Sequence, residues 1–241
     1  MGRHGTIAGR KAAQDSKRAA MFTKYAKKIT VAAKDGGDPE YNAALKVAIE
    51  KAKAINMPND NITRAVKKGT GELEGVSYEE VTYEGYGPGG IAIIVDCLTD
   101  NTNRTASAVR STFDKYGGNL GTPGCVSYMF SRKGIIIIEK TDDLDEEALM
   151  EIALESGADD IQSEEDSITI ITEPNDYQGV HRALKDAGYD LLESDIEFVP
   201  SMETTPESQH VAKLTKLIDI LEDNDDVQKV HTNCAIDLYE E

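Results

Sequence analysis

A change of hydrophobic period at Gly69-Thr-Gly-Glu-Leu-Glu-Gly75 constrains this chain more than any other feature. On its N-terminal side apolar residues recur at helical spacing. Beyond it they alternate or run together, as in strands. Between 17 and 34, Ala20, Phe22, Tyr25, Ala26, Ile29 and Ala33 mark a first helix, stopped by Gly36-Gly37. Asp38-Pro39 reads as the start of a second, an N-cap followed by proline at the first helical position. Its stripe is Leu45, Ala48, Ile49, Ala52 and Ile55. Pro58 opens a third helix, running through Ile62, Ala65 and Val66 to Gly69.

After the glycine-rich linker, Val81–Tyr86 and Ile91–Leu98 flank Gly87-Pro88-Gly89-Gly90, a hairpin signal. A helix is expected over 103–116 with Val109 and Phe113 inward, ended by Gly117-Gly118, and then a strand over Cys125–Phe130. From 131 the order becomes regular: strand 135–138, helix 144–154, strands at Ile161 and 168–171, helix 180–187, strand 191–199. That is βαββαβ, the ferredoxin-like unit. Pro200 to Pro206 is a second linker. A helix carrying Val211, Leu214, Leu217, Ile218 and Leu221 and a strand near 227–236 close the chain. These last two need a sheet to join, and the unit at 78–130 is incomplete without them. The predicted class is α+β: a basic arm and three-helix domain (1–77), a discontinuous α/β domain (78–130 plus 200–241), and a ferredoxin-like domain (131–199) inserted into it. One domain after another is the alternative. Hydrophobic residues are 39% of the chain, enough for real cores, and without tryptophan those cores rest on Ile, Val, Leu and Ala.

The net charge of −18 conceals a division. Residues 1–70 hold fifteen Lys or Arg against six acids, a net +9; the remainder holds eleven against thirty-eight, a net −27. Arg3, Arg10, Lys11, Lys17, Arg18, Lys24, Lys27 and Lys28 face one acid, Asp15. Such an arm neutralises phosphates and releases counterions; a solvated helix face is the alternative. Arg64, Lys67 and Lys68 add charge at the end of the third helix, where the helix dipole also favours cations. An acidic body would be repelled by a polyanion and would confine contact to one end.

The motifs that suggest chemistry resolve into structure. Gly85-Tyr-Gly87-Pro-Gly89-Gly90 matches G-x-G-x-x-G, but a strand follows where a dinucleotide site needs a helix. His231-x-x-Cys234 lacks a second pair with zinc spacing. Asp142, Asp143, Asp145, Glu146 and Glu147 open a helix, and Asp223, Asp225 and Asp226 close one; both groups read as solvated acid. Cys97, Cys125 and Cys234 are too few and too widely spaced for a disulfide framework. Met1–Thr6 fits the loose myristoylation pattern, though its charges have a better use. The polar loop Thr99–Thr105 caps the helix after it, and its Asn101, Asn103 and Arg104, with Arg110 beyond, either pair with local acids or offer a secondary contact.

Several stretches together resemble the YebC/PmpR family. They are Gly9-Arg-Lys-Ala-Ala-Gln-Asp-Ser-Lys-Arg18 with Phe22-Thr-Lys24, Ala48-Ile-Glu-Lys-Ala-Lys-Ala54, Asn56-Met-Pro58, Asp60-Asn-Ile62 and Lys67-Lys-Gly-Thr-Gly71. The most specific is Tyr78-Glu-Glu-Val-Thr-Tyr-Glu-Gly-Tyr-Gly-Pro-Gly-Gly90; Leu98–Asn101, Asn103–Thr105 and Gly117–Leu120 follow in order. The resemblance implies three domains, the first helical and basic, and a non-enzymatic role. Bacterial relatives are usually called DNA-binding transcriptional regulators, while the mitochondrial relative is a translational activator. Family members commonly carry Ser-Lys-Trp near the start, where this chain has His4-Gly5-Thr6, so a stacking aromatic is missing from the arm.

The expectation is a cytoplasmic, non-enzymatic regulator without cofactor, metal, membrane span or small-molecule substrate. Its partner is nucleic acid, either DNA or ribosomal RNA on the ribosome. No Arg and Asn set on one helix reads bases, which leans toward RNA shape; the usual family label leans toward DNA.

Overall fold

The computed structural model describes residues 18–238, and three helices come first. They are α1 (Arg18–Ala32), α2 (Ala43–Ala54) and α3 (Asn59–Gly69). Ile29, Ala33, Leu45, Ala48, Ala52, Ile55, Met57, Ile62 and Ala65 form their shared core. Asp38-Pro39 does not open α2. The residue that does is Asn42, whose Oδ1 accepts the Leu45 amide at 3.0 Å while Nδ2 donates to the Ala32 and Gly36 carbonyls at 2.7 and 2.8 Å. One amide thus closes α1 and starts α2, a double duty that a carboxylate cannot perform because it has no donor. Asp38 instead turns the connection, accepting the Tyr41 amide on its carbonyl. Asn42→Ala is expected to cost about 2–3 kcal/mol, one cap plus two carbonyls left without a donor. Asn42→Asp should recover about 1 kcal/mol of that by keeping the cap. A melt monitored by circular dichroism in which Ala and Asp variants match the native protein would contradict this.

The second layer is a four-stranded antiparallel sheet in the order β3-β1-β2-β8, from β1 (Glu79–Tyr86), β2 (Ala92–Thr99), β3 (Asn119–Leu120) and β8 (Val227–Thr232). β1 and β2 pair from Glu79↔Thr99 to Tyr86↔Ala92. The turn between them uses Gly89 and Gly90 at φ 77° and 75°, a backbone that favours glycine. α4 (Thr102–Lys115) and α7 (Ser208–Glu222) cover one face. Ile91, Ile93, Val95, Val109, Phe113, Leu214, Leu217 and Val227 pack there. β2 is buried on nearly every residue, so it reads as a continuous apolar run.

Between β3 and α7 the chain leaves to build a second sheet, β5-β6-β4-β7, from β4 (Phe130–Glu139), β5 (Ala158–Ser163), β6 (Ser167–Thr172) and β7 (Leu191–Pro200). With α5 (Glu146–Glu155) and α6 (Tyr177–Asp186) this is the βαββαβ order, and every strand pair is antiparallel. β8 returns to pair with β2, Ile93↔Thr232 to Cys97↔Val227. The fold is therefore α+β, a three-helix domain followed by two α/β domains, the ferredoxin-like one inserted into the other.

One expected strand is absent. Residues 127–129 form a 3-10 turn, and the strand starts only at Phe130. The cause lies in β1: the Glu84 carboxylate accepts the amides of Gly124, Val126 and Ser127 at 2.9, 3.0 and 2.8 Å and folds the segment around itself. Burial opposes the Glu84 charge, but these three donors outweigh it and hold the carboxyl below its usual range.

Candidate nucleic-acid interface

Sequence reasoning put phosphate contacts on the arm, on the basic residues of the first helix and on Arg64, Lys67 and Lys68 of the third. Arg3, Arg10, Lys11 and Lys17 lie outside the described residues, and Arg18 is the first residue given for α1. The other candidates separate into two groups.

Arg64, Lys67 and Lys68 form the first group. They are exposed, with no ion pair to any described residue, and sit at i, i+3 and i+4 near the end of α3. That spacing stacks them on one face. Asp60 lies one turn before Arg64 on the same helix, and Glu72 and Glu74 follow Lys68, so the triplet is a local concentration of positive charge beside a few acids. α3 is held in place by apolar Ile62 and Ala65 and by the approach of Gly69 to α1. A Cβ at Gly69 would meet the Thr30 carbonyl oxygen at 2.4 Å, so glycine is required for the two helices to touch there.

The second group, on α1, has partners inside the protein. Lys24 donates to the Glu222 carbonyl at 2.8 Å. Lys27 is buried; its ammonium pairs with Asp226 at 2.7 Å and donates to the carbonyls of Asp225 (2.8 Å) and Leu98 (3.3 Å). Asp226 accepts also from Arg104 at 2.8 Å and from the Thr105 hydroxyl at 2.9 Å. Burial works against its charge, but Lys27, Arg104 and Thr105 together bring its carboxyl down to about 2. Arg104 pairs in addition with Asp100 at 2.7 Å, and these partners raise its pKa. The secondary-contact candidates are thus placed: Arg104 is engaged with two acids, Asn101 caps α4 by accepting the Arg104 amide at 3.0 Å, and Asn103 is exposed. A cleft of about 400 Å³ beside this cluster is lined by Thr23, Tyr78, Asp100 and Asn224 as well. Tyr78 presents its ring 5.6 Å from the Lys27 ammonium.

Lys28, the next residue, faces the inserted domain. There β7 carries Glu193, Asp195 and Glu197, which alternate and so share one face of the strand. Lys51 of α2 pairs with Asp195 at 3.1 Å, and Lys229 of β8 pairs with Glu193 at 3.2 Å and with Glu197. Burial lowers the Lys28 pKa, with Asp195 opposing. Burial resists the charges of Asp195 and Lys229 too. Lys51, Lys28 and Lys229 nonetheless hold Asp195 below its usual range, and Glu197 and Glu193 hold Lys229 above its own. Beside them Tyr25 is pushed up to about 12, by burial and then by Asp195 and Glu193. The three domains meet at this row.

Asp226, expected with Asp223 and Asp225 as solvated acid, is instead buried and paired with Lys27 and Arg104, and none of Asp195, Glu193, Glu197, Lys51 or Lys229 stood out by sequence reasoning. For Asp226 the sequence holds no signal, because it ends an acidic turn that resembles any other. For β7 the signal was present: acids at every second residue of a strand require one charged face.

The other motifs are structural. His231 is buried, 3.1 Å from the Asp96 carboxylate and edge-on to Phe198 at 5.4 Å. The cysteines are free thiols, and burial pushes Cys97 up to about 12. Among the described residues no cluster of His, Cys, Asp and Glu is arranged to hold a metal, and no helix is long and apolar enough to cross a membrane.

Two family models match the sequence: the TACO1/YebC N-terminal domain over residues 3–72, and the TACO1/YebC second and third domain over 78–234. A protein of Clostridioides difficile named probable transcriptional regulatory protein is 55% identical over 239 residues, spanning 98% of this chain and 100% of its own. One of the same name from Geobacter sulfurreducens is 52% identical, covering 98% and 95%. The crystal structure of a conserved hypothetical protein from Aquifex aeolicus superimposes with a TM-score of 0.85 at 42% identity, covering 99% of this chain and 98% of that one. The chain belongs to the TACO1/YebC family.

Proposed function

We propose that this protein is a non-enzymatic, cytoplasmic regulator of gene expression that grips nucleic acid through its basic N-terminal part. The observation that carries the reading is the exposed triplet Arg64, Lys67 and Lys68 on the one domain with positive net charge. Arg3, Arg10, Lys11, Lys17 and Arg18 add to the positive charge of the same N-terminal stretch of sequence, in a chain that is otherwise acidic, and phosphate is the ligand such a stretch attracts. The relatives' name, probable transcriptional regulatory protein, supports DNA as the target.

A second reading is a ribosome-associated translation factor binding ribosomal RNA. It is favoured by the clustering of the α3 cations near one helix end rather than along a groove-length face. That arrangement suits phosphate positioning better than base readout, and folded RNA is recognised largely by shape. The experiment is co-sedimentation with ribosomes, with and without excess duplex DNA, for the native protein and for Arg64→Glu/Lys67→Glu/Lys68→Glu. Pelleting that needs the triplet and survives the DNA selects the translation reading. A DNA gel shift that needs the triplet, without pelleting, selects the transcription reading. Neither behaviour, or both unchanged in the variant, defeats the proposal.

A further inference from the structure

The helical domain is attached to the rest of the molecule differently from the way the two α/β domains are attached to each other. Ala92, Ile94, Val126 and Phe130 form one buried apolar cluster with Phe198 of β7, so the α/β domains share a core. Among the described residues, the apolar cluster of the helical domain draws on residues 21–66 alone. What crosses from it to the α/β body is charge: Lys27 to Asp226, Lys24 to the Glu222 carbonyl, Lys51 to Asp195. Lys27 and Lys28 are adjacent, so they leave α1 about 100° apart. One takes hold of the β8 side and the other lies in the field of β7.

We propose that α1 is an electrostatic latch closed on the acidic α/β body, and that a polyanion opens it by replacing Asp226 and Asp195 as partners of the α1 and α2 lysines. This rests on the nucleic-acid reading above. Carboxylate and phosphate are interchangeable partners for an ammonium, so the closed latch and the bound polyanion compete for the same side chains. In the open form Lys24, Lys27 and Lys28 join Arg64, Lys67 and Lys68. Linkage then requires that whatever weakens the latch tightens polyanion binding. If the open form is about a tenth of the molecules, full opening tightens apparent affinity about tenfold. The latch also gives the acidic body a role: it screens the cationic end from weak, scattered phosphates and yields to a dense array of them.

The test uses the full chain with Asp195→Asn and Asp226→Asn together. Small-angle scattering should show a larger radius of gyration than native, with helix content unchanged by circular dichroism because each domain keeps its own core. Binding of a short mixed-sequence duplex DNA at fixed salt should tighten about tenfold. A second variant, Lys27→Met/Asp226→Leu, replaces the central pair by apolar contact and should stay compact without gain in affinity. Native dimensions in the Asn variant would overturn the latch, and expansion without tighter binding would overturn its coupling to polyanions. If the native protein binds no polyanion at all, the functional reading fails, while the scattering comparison still decides whether the junction is ionic.

Discussion

Replacing Asp226 by Ala should cost about 3–5 kcal/mol at the junction between α1 and the α/β body, the penalty for stranding a buried charge. Asp226 is the acceptor for Lys27, Arg104 and Thr105 together, and its side chain is only 8% exposed. Lys27 retains two backbone carbonyls, which soften the loss but leave its ammonium without an anion. The damage therefore falls on docking rather than on either core. Calorimetry should show one native transition giving way to an early helical-domain transition, lowered by roughly 10 °C. Lys27→Met/Asp226→Leu should restore a single transition, because a buried pair replaced by apolar groups of similar volume is nearly neutral. A melt unchanged by Asp226→Ala would show that the pair holds nothing. The same residue sets an acid limit. Its folded carboxyl takes a proton near 2, an unfolded one near 3.9, so its contribution, on the order of 2 kcal/mol, is complete above about pH 4. It is lost as pH falls through about 2. The Asn variant should lack that acid dependence.

Glu84→Ala should be nearly as severe, about 3–5 kcal/mol, since three charge-assisted bonds to backbone amides disappear at once. Its site is local: the turn 124–129 that leads into β4 and the inserted domain. Hydrogen exchange at the Val126 and Ser127 amides should accelerate far more than at Ile136, in the centre of β4. Glu84→Gln retains an acceptor oxygen and should lose less. Native protection at Val126 in Glu84→Ala would contradict the assignment of this turn to one side chain.

These two acids mark where the sequence was legible and where it was not. The period change at Gly69–Gly75 separated helices from strands, and the βαββαβ order gave the inserted sheet, because both depend on local apolar spacing. The return of β8 followed from an incomplete sheet at 78–130. Asn42 was passed over because Asp38-Pro39 offers the same start signal four residues earlier, while Glu84 gave no local signal because it reaches across forty residues of chain. The basic residues of α1 were visible as charge, but charge alone does not separate a lysine left exposed to solvent from one buried against Asp226. Only tertiary pairing distinguishes Lys27 from Lys67. On β7 the alternation of Glu193, Asp195 and Glu197 was readable, and it was the cations arriving from three other elements that gave it meaning.

The most direct test of the central claim, that this family member grips nucleic acid through phosphate, is a salt titration of binding to duplex DNA and to ribosomes. With about six phosphates neutralised, log affinity should fall against log salt with a slope near −5, and Arg64→Gln/Lys67→Gln/Lys68→Gln should flatten it by about 2–3. A slope near zero for the native protein, or one the triple variant leaves unchanged, would contradict the account.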